Sequence, residues 1–290
     1  MTENRSRLPD WLRQKDPIQR EMMNTRRLLA GLELNTVCQN ARCPNIGECY
    51  SRDTATFMVL GSRCTRSCNF CAVTHGSPLP VDLTEPNRLA QAVIRLDLNH
   101  VVITSVTRDD LPLGGARQFV RVIEAIRAAQ PDATIEVLTP DFQLEEKALK
   151  LIREAQPEIF NHNIETVPSL YSRVRPEADY KRSLKLLSKM ADAEGEMMIK
   201  SGLMLGLGES EEELQKVWKD LRGAGCQILT MGQYLQPTDS NLPVEEYIRP
   251  EEFERLKEKA EDLGFEQVIA GPYVRSSYLA DKSSRELLNS

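Results

Sequence analysis

Short apolar runs alternate with amphipathic stretches through the middle of the chain. The apolar runs have the length of buried strands. They predict strands at 56–60, 100–106, 133–138, 158–164, 197–205 and 227–234. The intervening stretches repeat apolar positions every three or four residues. They predict helices at 86–97, 116–130, 143–156, 180–194 and 210–224.

Regular alternation of strand and helix is typical of a parallel sheet with right-handed crossovers. Six such units are too few for a closed eight-stranded barrel, but they can form an open one whose active face lies at the carboxyl ends of the strands. We therefore predict an α/β fold, a partial (β/α)6 TIM-like barrel, over residues 51–248. Residues 1–50 and 249–290 should be N- and C-terminal extensions, the latter with a helix at 251–263, a short strand at 266–270 and a polar tail.

Composition narrows the class of protein. The chain has 290 residues, of which 41% are apolar, enough for one sizeable core. Its 37 basic and 43 acidic residues give a net charge of -6, which argues against a nucleic-acid binder. No apolar run approaches the roughly 18 residues of a membrane span, and the first residues are polar and charged, unlike a signal peptide. We expect a cytoplasmic protein that binds neither nucleic acid nor membrane.

Six of the seven cysteines fall in two groups of three. The first group is Cys38, Cys43 and Cys49, and the second is Cys64, Cys68 and Cys71. In a reducing compartment such groups are metal or redox sites rather than disulfides. Three thiolates can hold three corners of a 4Fe-4S cluster and leave the fourth iron open. The isolated Cys226 is predicted to be a buried apolar residue.

The second group has the spacing C-x3-C-x2-C within GSRCTRSCNFCAVTHG, with the aromatic Phe70 before its last cysteine. Here the chain resembles the radical S-adenosylmethionine (SAM) superfamily. The resemblance implies that the amino and carboxylate groups of SAM chelate the open iron. One electron from the cluster then cleaves SAM to methionine and a 5′-deoxyadenosyl radical.

The first group has the spacing C-x4-C-x5-C and lies just before that loop. Together with CNFCAV, TSVTRDDLPLGGA and RSSY, it makes the whole chain resemble the lipoyl synthase family. The resemblance implies a second, auxiliary 4Fe-4S cluster that is the sulfur source, with its fourth iron held by Ser277 of the RSSY motif. The implied reaction inserts sulfur at carbons 6 and 8 of an octanoyl group on a carrier-protein lysine. Leu113 stands where that family usually has an acid, but Gly114 and Gly115 remain, so the turn should persist.

The same resemblance suggests contacts for SAM. Asn163 and Glu165 would hydrogen-bond its methionine and ribose, and a carboxylate suits ribose hydroxyls because it only accepts. Thr107 and Asp109 would make backbone contacts to the SAM amino group. Arg175 would pair with the SAM carboxylate through its planar guanidinium.

The implied partners are octanoylated carrier proteins, namely the lipoyl domain of a 2-oxoacid dehydrogenase and the glycine cleavage H protein. A ferredoxin or flavodoxin would supply electrons to a monomeric enzyme. Two alternatives stay open: another radical SAM enzyme whose auxiliary cluster relays electrons, and a zinc-stabilised interaction protein. Against zinc, the histidines at 75, 100 and 162 have no finger spacing.

Overall fold

The structure, a computed structural model, describes residues 8–12, 19–192 and 195–278. Their strands form one seven-stranded sheet in which spatial order follows chain order and every neighbouring pair is parallel. The strands are β1 (Thr56–Val59), β2 (His100–Ser105), β3 (Thr134–Leu138), β4 (Ile159–Asn161), β5 (Met198–Leu205), β6 (Ile228–Gln233) and β7 (Gln267–Gly271). Because every crossover advances by one strand, the sheet curls as a barrel does, with β1 and β7 as its open edges.

Helices precede the sheet and connect its strands. They are α1 (Gln19–Gly31), α2 (Val37–Asn40), α3 (Ile46–Ser51), α4 (Glu85–Arg95), α5 (Ala116–Ala129), α6 (Glu146–Ala155), α7 (Tyr171–Val174), α8 (Tyr180–Ala191), α9 (Glu211–Gly223) and α10 (Pro250–Glu261). Local sequence explains several starts. Ser210 and Glu213 form a capping box before α9, and proline opens α10.

The core lies between the sheet and these helices. Leu89 and Val93, one turn apart on α4, are both fully buried, and so are Phe119 and Ile126 on α5. Burying a side chain of this size stabilises the fold by roughly 1.5–3 kcal/mol. The amphipathic pattern that predicted the helices therefore also fixes which face each helix turns to the sheet.

The predicted α/β partial barrel is confirmed, with local corrections. The strand predicted at 158–164 ends at Asn161, where its regular pairing with β3 and β5 stops. The helix predicted from residue 143 begins only at Glu146, after a separate turn in which Gln143 has a φ of 49°. The last predicted strand is present as β7, but it pairs with β6 and so extends the barrel sheet itself.

The parts predicted as extensions meet the two edges of the sheet. Thr36 bridges Phe57 in antiparallel fashion, and Met58 donates to the carbonyl of Asn35, so the N-terminal part adds to the β1 edge. After β7 the chain turns back towards the sheet, and its polar tail at 279–290 lies outside the described residues. Within the part that is described, no helix is long and apolar enough to cross a membrane.

Candidate functional site

A cavity of about 540 Å³ opens where several strands end. Residues that follow β2, β3, β4 and β6 line it, among them Thr107, Asp141, Asn163 and Tyr234. All six grouped cysteines and all four residues of the RSSY motif line the same cavity. The fold therefore brings the C-terminal RSSY motif together with two cysteine groups that lie near the other end of the chain.

The second cysteine loop (residues 64–71) follows β1 and is tied to the end of β2. Thr65 donates its backbone N–H and its hydroxyl to the carbonyl of Thr107, both at 3.0 Å. The N–H groups of Thr107 and Arg66 point at the Cys64 sulfur, at 3.3 and 3.5 Å. Phe70 lines the cavity and packs against a small apolar cluster that contains Val174, Leu207 and Tyr234.

Arg66, inside this loop, makes a buried ion-pair network. Its guanidinium donates to both carboxylate oxygens of Asp109, at 2.6 and 2.9 Å, and to both of Asp141, at 2.9 and 2.8 Å. Arg182 also donates to Asp141, at 2.8 Å. Burial opposes ionisation of Asp141, but the hydrogen bonds from Arg66 overcome it and hold the pKa of Asp141 well below its usual range. The network thus locks the loop to the ends of β2 and β3.

The predicted SAM-binding pair lies directly after β4. Asn163 donates from Nδ2 to Glu165 Oε1 at 3.2 Å. The φ of 66° at Glu165 is uncommon for a residue other than glycine, and it is held by backbone hydrogen bonds to Gly202 and Met204. Burial raises the pKa of the Glu165 carboxyl, and the charge of Arg175 partly offsets this.

Arg175 lines the cavity beside this pair. Its Nη1 donates to the carbonyls of Asn163 and Ile164, at 3.0 and 3.3 Å, and its guanidinium stacks 5.6 Å from the ring centre of Tyr171. Its Nε is buried and has no hydrogen-bond partner among the described residues. A buried donor without a partner is costly, so it fits a site whose ligand supplies an acceptor.

The first cysteine loop (residues 38–49) is built from two short helices. Cys38 lies in α2, whose N-cap Thr36 accepts from the N–H of Gln39 at 3.3 Å, and Cys49 lies in α3. The N–H of Cys43 donates to the carbonyl of Cys38 at 3.0 Å, which closes the turn between the helices. These local bonds direct all three sulfur-bearing side chains towards the cavity.

The C-terminal segment (residues 272–278) packs onto this first loop. Asn45, which is buried, donates from Nδ2 to the carbonyl of Tyr273 at 2.7 Å. Tyr278 donates its hydroxyl to the carboxylate of Glu48, with oxygen distances of 3.1 and 3.0 Å. Burial raises the pKa of Tyr278, and this hydrogen bond adds to the rise, so that the pKa is about 12. The RSSY motif is thereby held against a loop more than two hundred residues earlier.

The two adjacent serines of this segment point to different partners. Thr56 donates its hydroxyl to Ser277 Oγ at 2.7 Å, while Ser276 donates to Asn163 Oδ1 at 2.8 Å. Burial raises the pKa of Cys38 to about 11, and a hydrogen bond from the backbone of Thr56 opposes that rise. Thr56 therefore connects Ser277 with the first cysteine group, whereas Ser276 belongs to the predicted SAM pair.

Two glycines make room for this segment. A Cβ at Gly232 on β6 would lie 2.0 Å from the carbonyl oxygen of Val274. A Cβ at Gly202 on β5 would lie 2.3 Å from Thr230 Oγ1 and 3.2 Å from Ser276 Oγ. The segment thus runs directly over bare strand backbone, a close approach that only glycine permits.

The donor sets fit iron-sulfur clusters. All six grouped cysteines are free thiols. Burial raises the pKa of Cys49 and of Cys71 to about 12, and it also raises the pKa values of Cys43 and Cys68. Thiols in such surroundings ionise when a bound metal supplies positive charge. Each group offers three thiols for three corners of a cubane, with a cavity at the fourth.

A closed zinc site fits less well. No three His, Cys, Asp or Glu side chains of the described residues converge closely enough to hold a single metal ion. The cavity-lining His162 has Nδ1 bonded to the carbonyl of Thr139 at 2.8 Å and Nε2 bonded to Ser183 Oγ at 3.0 Å. Burial lowers its pKa to about 4, so it is neutral and fully engaged. Each cysteine group supplies three thiols, one fewer than the four ligands of a closed structural zinc site.

The structure places most predicted site residues together but not all. Apart from the cysteines and Ser277, the cavity is lined by Phe70, Thr107, Asn163, Glu165 and Arg175. Asp109 does not occur among the described residues that line it, and its carboxylate is paired with Arg66. Sequence patterns alone did not single out Arg66, Asp141 or Ser276. Asp141 had a usable signal, since it follows a predicted strand at the carboxyl edge of a parallel sheet.

Comparisons with known proteins show the family to which the chain is related. A family model described as the radical SAM superfamily matches residues 58–221, and a model described as the N-terminal domain of lipoyl synthase of the radical SAM family matches residues 1–43. A curated lipoyl synthase of Caldanaerobacter subterraneus subsp. tengcongensis is 52% identical over 275 residues, covering 95% of this chain and 96% of that protein. The lipoyl synthase of Desulfotalea psychrophila is 54% identical over 278 residues, covering 96% and 93%.

Among solved structures, Streptococcus suis SuiB bound to S-adenosylmethionine aligns with a TM-score of 0.56 at 12% identity. The alignment covers 84% of this chain and 58% of that chain. At this identity the likeness concerns the fold alone. It supports the partial barrel independently of the sequence motifs.

Proposed function

Because the chain belongs to the lipoyl synthase family of the radical SAM superfamily, we propose that its cavity joins the two cofactor sites of that family's reaction. The activity is that of the family: sulfur is inserted at carbons 6 and 8 of an octanoyl group on a lipoyl-carrier protein, with two 4Fe-4S clusters and SAM as cofactors. One observation carries the assignment of residues. Two groups of three thiols and the RSSY segment line a single continuous cavity.

The two cysteine groups are assigned different chemical roles. When bound, SAM and the cluster at the second cysteine group supply a carbon-centred radical able to take hydrogen from an unactivated carbon, and the cluster at the first group supplies sulfide. We assign Cys64, Cys68 and Cys71 to the cluster that acts with SAM. The Arg66 network keeps their loop in a fixed position.

Asn163, Glu165 and Arg175 are assigned to SAM. The Glu165 carboxylate accepts from hydroxyl groups, and the unpartnered Nε of Arg175 provides a donor for an acidic group. The backbone contacts to SAM expected of Thr107 and Asp109 remain predictions. Their polar groups already pair with Thr65 and Arg66, which favours a role in holding the second cysteine loop.

Ser277 is assigned to the auxiliary cluster, together with Cys38, Cys43 and Cys49. The support is its hydrogen bond with Thr56, which also contacts Cys38. A serine oxygen is a harder donor than a thiolate and suits iron of such a cluster less well. Ser277 can therefore release that corner when the cluster gives up sulfide.

The substrates are lipoyl-carrier proteins in general, as for the family. Within that class we propose the lipoyl domains of 2-oxoacid dehydrogenases and the glycine cleavage H protein. We further propose reduction by a ferredoxin or flavodoxin and action as a monomer. The cytoplasmic location expected from the sequence stays a prediction.

Anaerobic incubation with SAM, a chemical reductant and an octanoylated lysine peptide tests the function. We expect a peptide product heavier by two sulfur atoms, measured by mass spectrometry. The alternative, an auxiliary cluster that only relays electrons, is tested in the same samples. A sulfide content that falls in step with product supports the donor role, whereas a constant content would favour the relay.

A further inference from the structure

We propose that Ser276 is a positioning residue that couples the SAM site to the C-terminal segment carrying Ser277. The inference rests on the proposed function, since it takes Asn163 as a SAM contact and Ser277 as the ligand of the auxiliary cluster. It adds a role for a residue that the assignment of ligands leaves unused. Ser276 acts through Asn163 and not on the reacting atoms.

The coupling runs through a short series of hydrogen bonds. Ser276 donates to Asn163 Oδ1 at 2.8 Å, and Asn163 Nδ2 donates to Glu165 Oε1 at 3.2 Å. The next residue, Ser277, accepts from Thr56 at 2.7 Å. Two neighbouring residues of one segment therefore contact two different sites, Ser276 the proposed SAM site and Ser277 the proposed auxiliary-cluster site.

The first of these bonds determines how Asn163 faces the cavity. A carboxamide has one accepting end and one donating end. Because Ser276 donates to Oδ1, the Nδ2 group must point towards Glu165 and the SAM site. Without the Ser276 hydroxyl, the amide can rotate and present its oxygen to a carboxylate instead.

The packing leaves little slack between the two residues. A Cβ at Gly202 would lie 3.0 Å from Asn163 Oδ1 and 3.2 Å from Ser276 Oγ, so both atoms rest against the same bare backbone. On the other side, the carbonyl of Val274 lies over Gly232. A change in the position of Asn163 is therefore transmitted to the C-terminal segment.

The consequence is a link between SAM occupancy and Ser277. SAM that contacts Asn163 strengthens the Asn163 to Ser276 bond and holds residues 272–278 in place. By thermodynamic reciprocity, the ordered segment strengthens SAM binding by the same factor. Ser277 is thereby held more firmly while SAM fills its site and is freer to leave once SAM has been cleaved.

The test uses the anaerobic holoenzyme without reductant, so that no turnover occurs. Hydrogen exchange of residues 272–278, followed by mass spectrometry with and without SAM, measures order in the segment, and equilibrium dialysis measures SAM affinity. In the unmodified protein we expect SAM to slow exchange in this segment. In Ser276→Ala we expect SAM binding weaker by several-fold and at most about tenfold, as loss of one hydrogen bond implies. SAM should no longer slow the exchange.

Two further variants make the result decisive. Ser188→Ala, in α8 and away from the cavity, should behave as the unmodified protein. Asn163→Ala removes the acceptor of the Ser276 hydrogen bond. It should likewise abolish the effect of SAM on exchange in residues 272–278. Ser276→Ala added to it should change SAM affinity no further, because residues acting through one contact are not additive.

The outcomes separate this inference from the proposed function. If the unmodified protein binds no SAM or assembles only one cluster, the proposed function is wrong. If it binds SAM and assembles both clusters, yet SAM leaves exchange at 272–278 unchanged, the function stands and the coupling is refuted. An unfolded Ser276→Ala variant leaves the Asn163→Ala measurement to decide.

Discussion

The two cysteine loops carry the same number of thiols but are held in different ways. The second loop is locked by Arg66 to Asp109 and Asp141, at the ends of strands of its own barrel. The first loop is closed by Tyr273, Ser277 and Tyr278 of a separate segment that arrives from the end of the chain. Removing one partner of a buried ion pair costs about 3–5 kcal/mol, whereas a single neutral hydrogen bond contributes about 1 kcal/mol.

This difference matches the proposed roles. A cluster that is restored after each SAM cleavage benefits from a rigid loop. A cluster that gives up sulfide needs one corner that can be released. We therefore expect the cluster that gives up sulfide to be the one whose loop is closed by a separate segment, and the variants below test each loop in turn.

The largest effects should come from the thiols. Replacing Cys64, Cys68 and Cys71 by alanine should abolish SAM cleavage, because no open iron remains to chelate SAM. Replacing Cys38, Cys43 and Cys49 should leave SAM cleavage intact and abolish sulfur insertion. Formation of 5′-deoxyadenosine and of lipoyl peptide, measured by chromatography, separates the two.

Cys226→Ala provides the matched control, since Cys226 is fully buried and lies outside the cavity lining. It should keep both activities. Lipoyl product from the variant without the first group would refute its role as donor.

Lipoyl formation should be nearly as sensitive to changes at Ser277, the proposed fourth ligand of the auxiliary cluster. Ser277→Ala should leave the auxiliary iron labile and strongly reduce lipoyl formation, with SAM cleavage retained. Ser277→Cys should assemble a complete cluster but turn over slowly, because thiolate is the better-suited ligand for iron and is released less readily. Iron content and product formation are measured together; full activity in both variants would exclude Ser277 as the ligand.

Displacing the segment without touching a ligand should have an intermediate effect. In Gly232→Ala the new Cβ would lie 2.0 Å from the carbonyl oxygen of Val274, so the segment must move. We expect loss of auxiliary-cluster iron and of sulfur insertion, with SAM cleavage preserved when SAM is saturating. Gly223→Ala, where no atom lies within 4 Å of the added Cβ, should change neither. Equal losses at both clusters in Gly232→Ala would contradict independent support of the two loops.

The ion-pair network should show its effect in stability. Arg66→Ala leaves the buried Asp141 without its principal partner and should lower the free energy of unfolding by about 3 kcal/mol. Arg153→Ala removes an exposed ion pair with Glu146 and should cost about 0–1 kcal/mol. Denaturant unfolding measures both, and similar small losses would show that the network does not lock the second loop.

The smallest expected effect is on how stability depends on pH, and its sign should be opposite for the two loops. Tyr278 has a pKa raised to about 12 by burial and by Glu48, so its contribution is complete below the ordinary tyrosine value of about 10 and is lost as pH rises towards 12. The lowered pKa of Asp141 has the reverse effect, since its contribution is lost only as pH falls below the ordinary carboxyl range.

Tyr278→Phe provides the measurement for the first loop. It should remove the alkaline change in melting temperature and cost about 1 kcal/mol or less at neutral pH. The melting temperature of both proteins is measured as pH is raised. Identical curves for the unmodified protein and Tyr278→Phe would contradict the proposed contact.

Much of the fold and part of the site follow from local sequence. Alternating apolar runs predicted the strands of the barrel because a buried parallel strand must be apolar along its length. The spacing of Cys64, Cys68 and Cys71 predicted a cluster loop because a short segment alone can present three thiols to one cubane. Here the chemistry depends on neighbours in the sequence, so no tertiary information is needed.

The tertiary structure decided which distant residues meet. Arg66 and Asp141 pair across 75 positions, and Thr56 and Ser277 across 221. No local pattern encodes such pairs, since they arise only when strand ends share one edge and the chain end returns over Gly202 and Gly232. The pairing of the Asp109 carboxylate with Arg66 has the same origin, since it forms only when the fold brings the two residues together. The sequence by itself thus determined the thiol groups and the barrel. Three-dimensional packing decided the partners of the two serines, Thr56 for Ser277 and Asn163 for Ser276, because side-chain direction depends on contacts that form only in the folded chain.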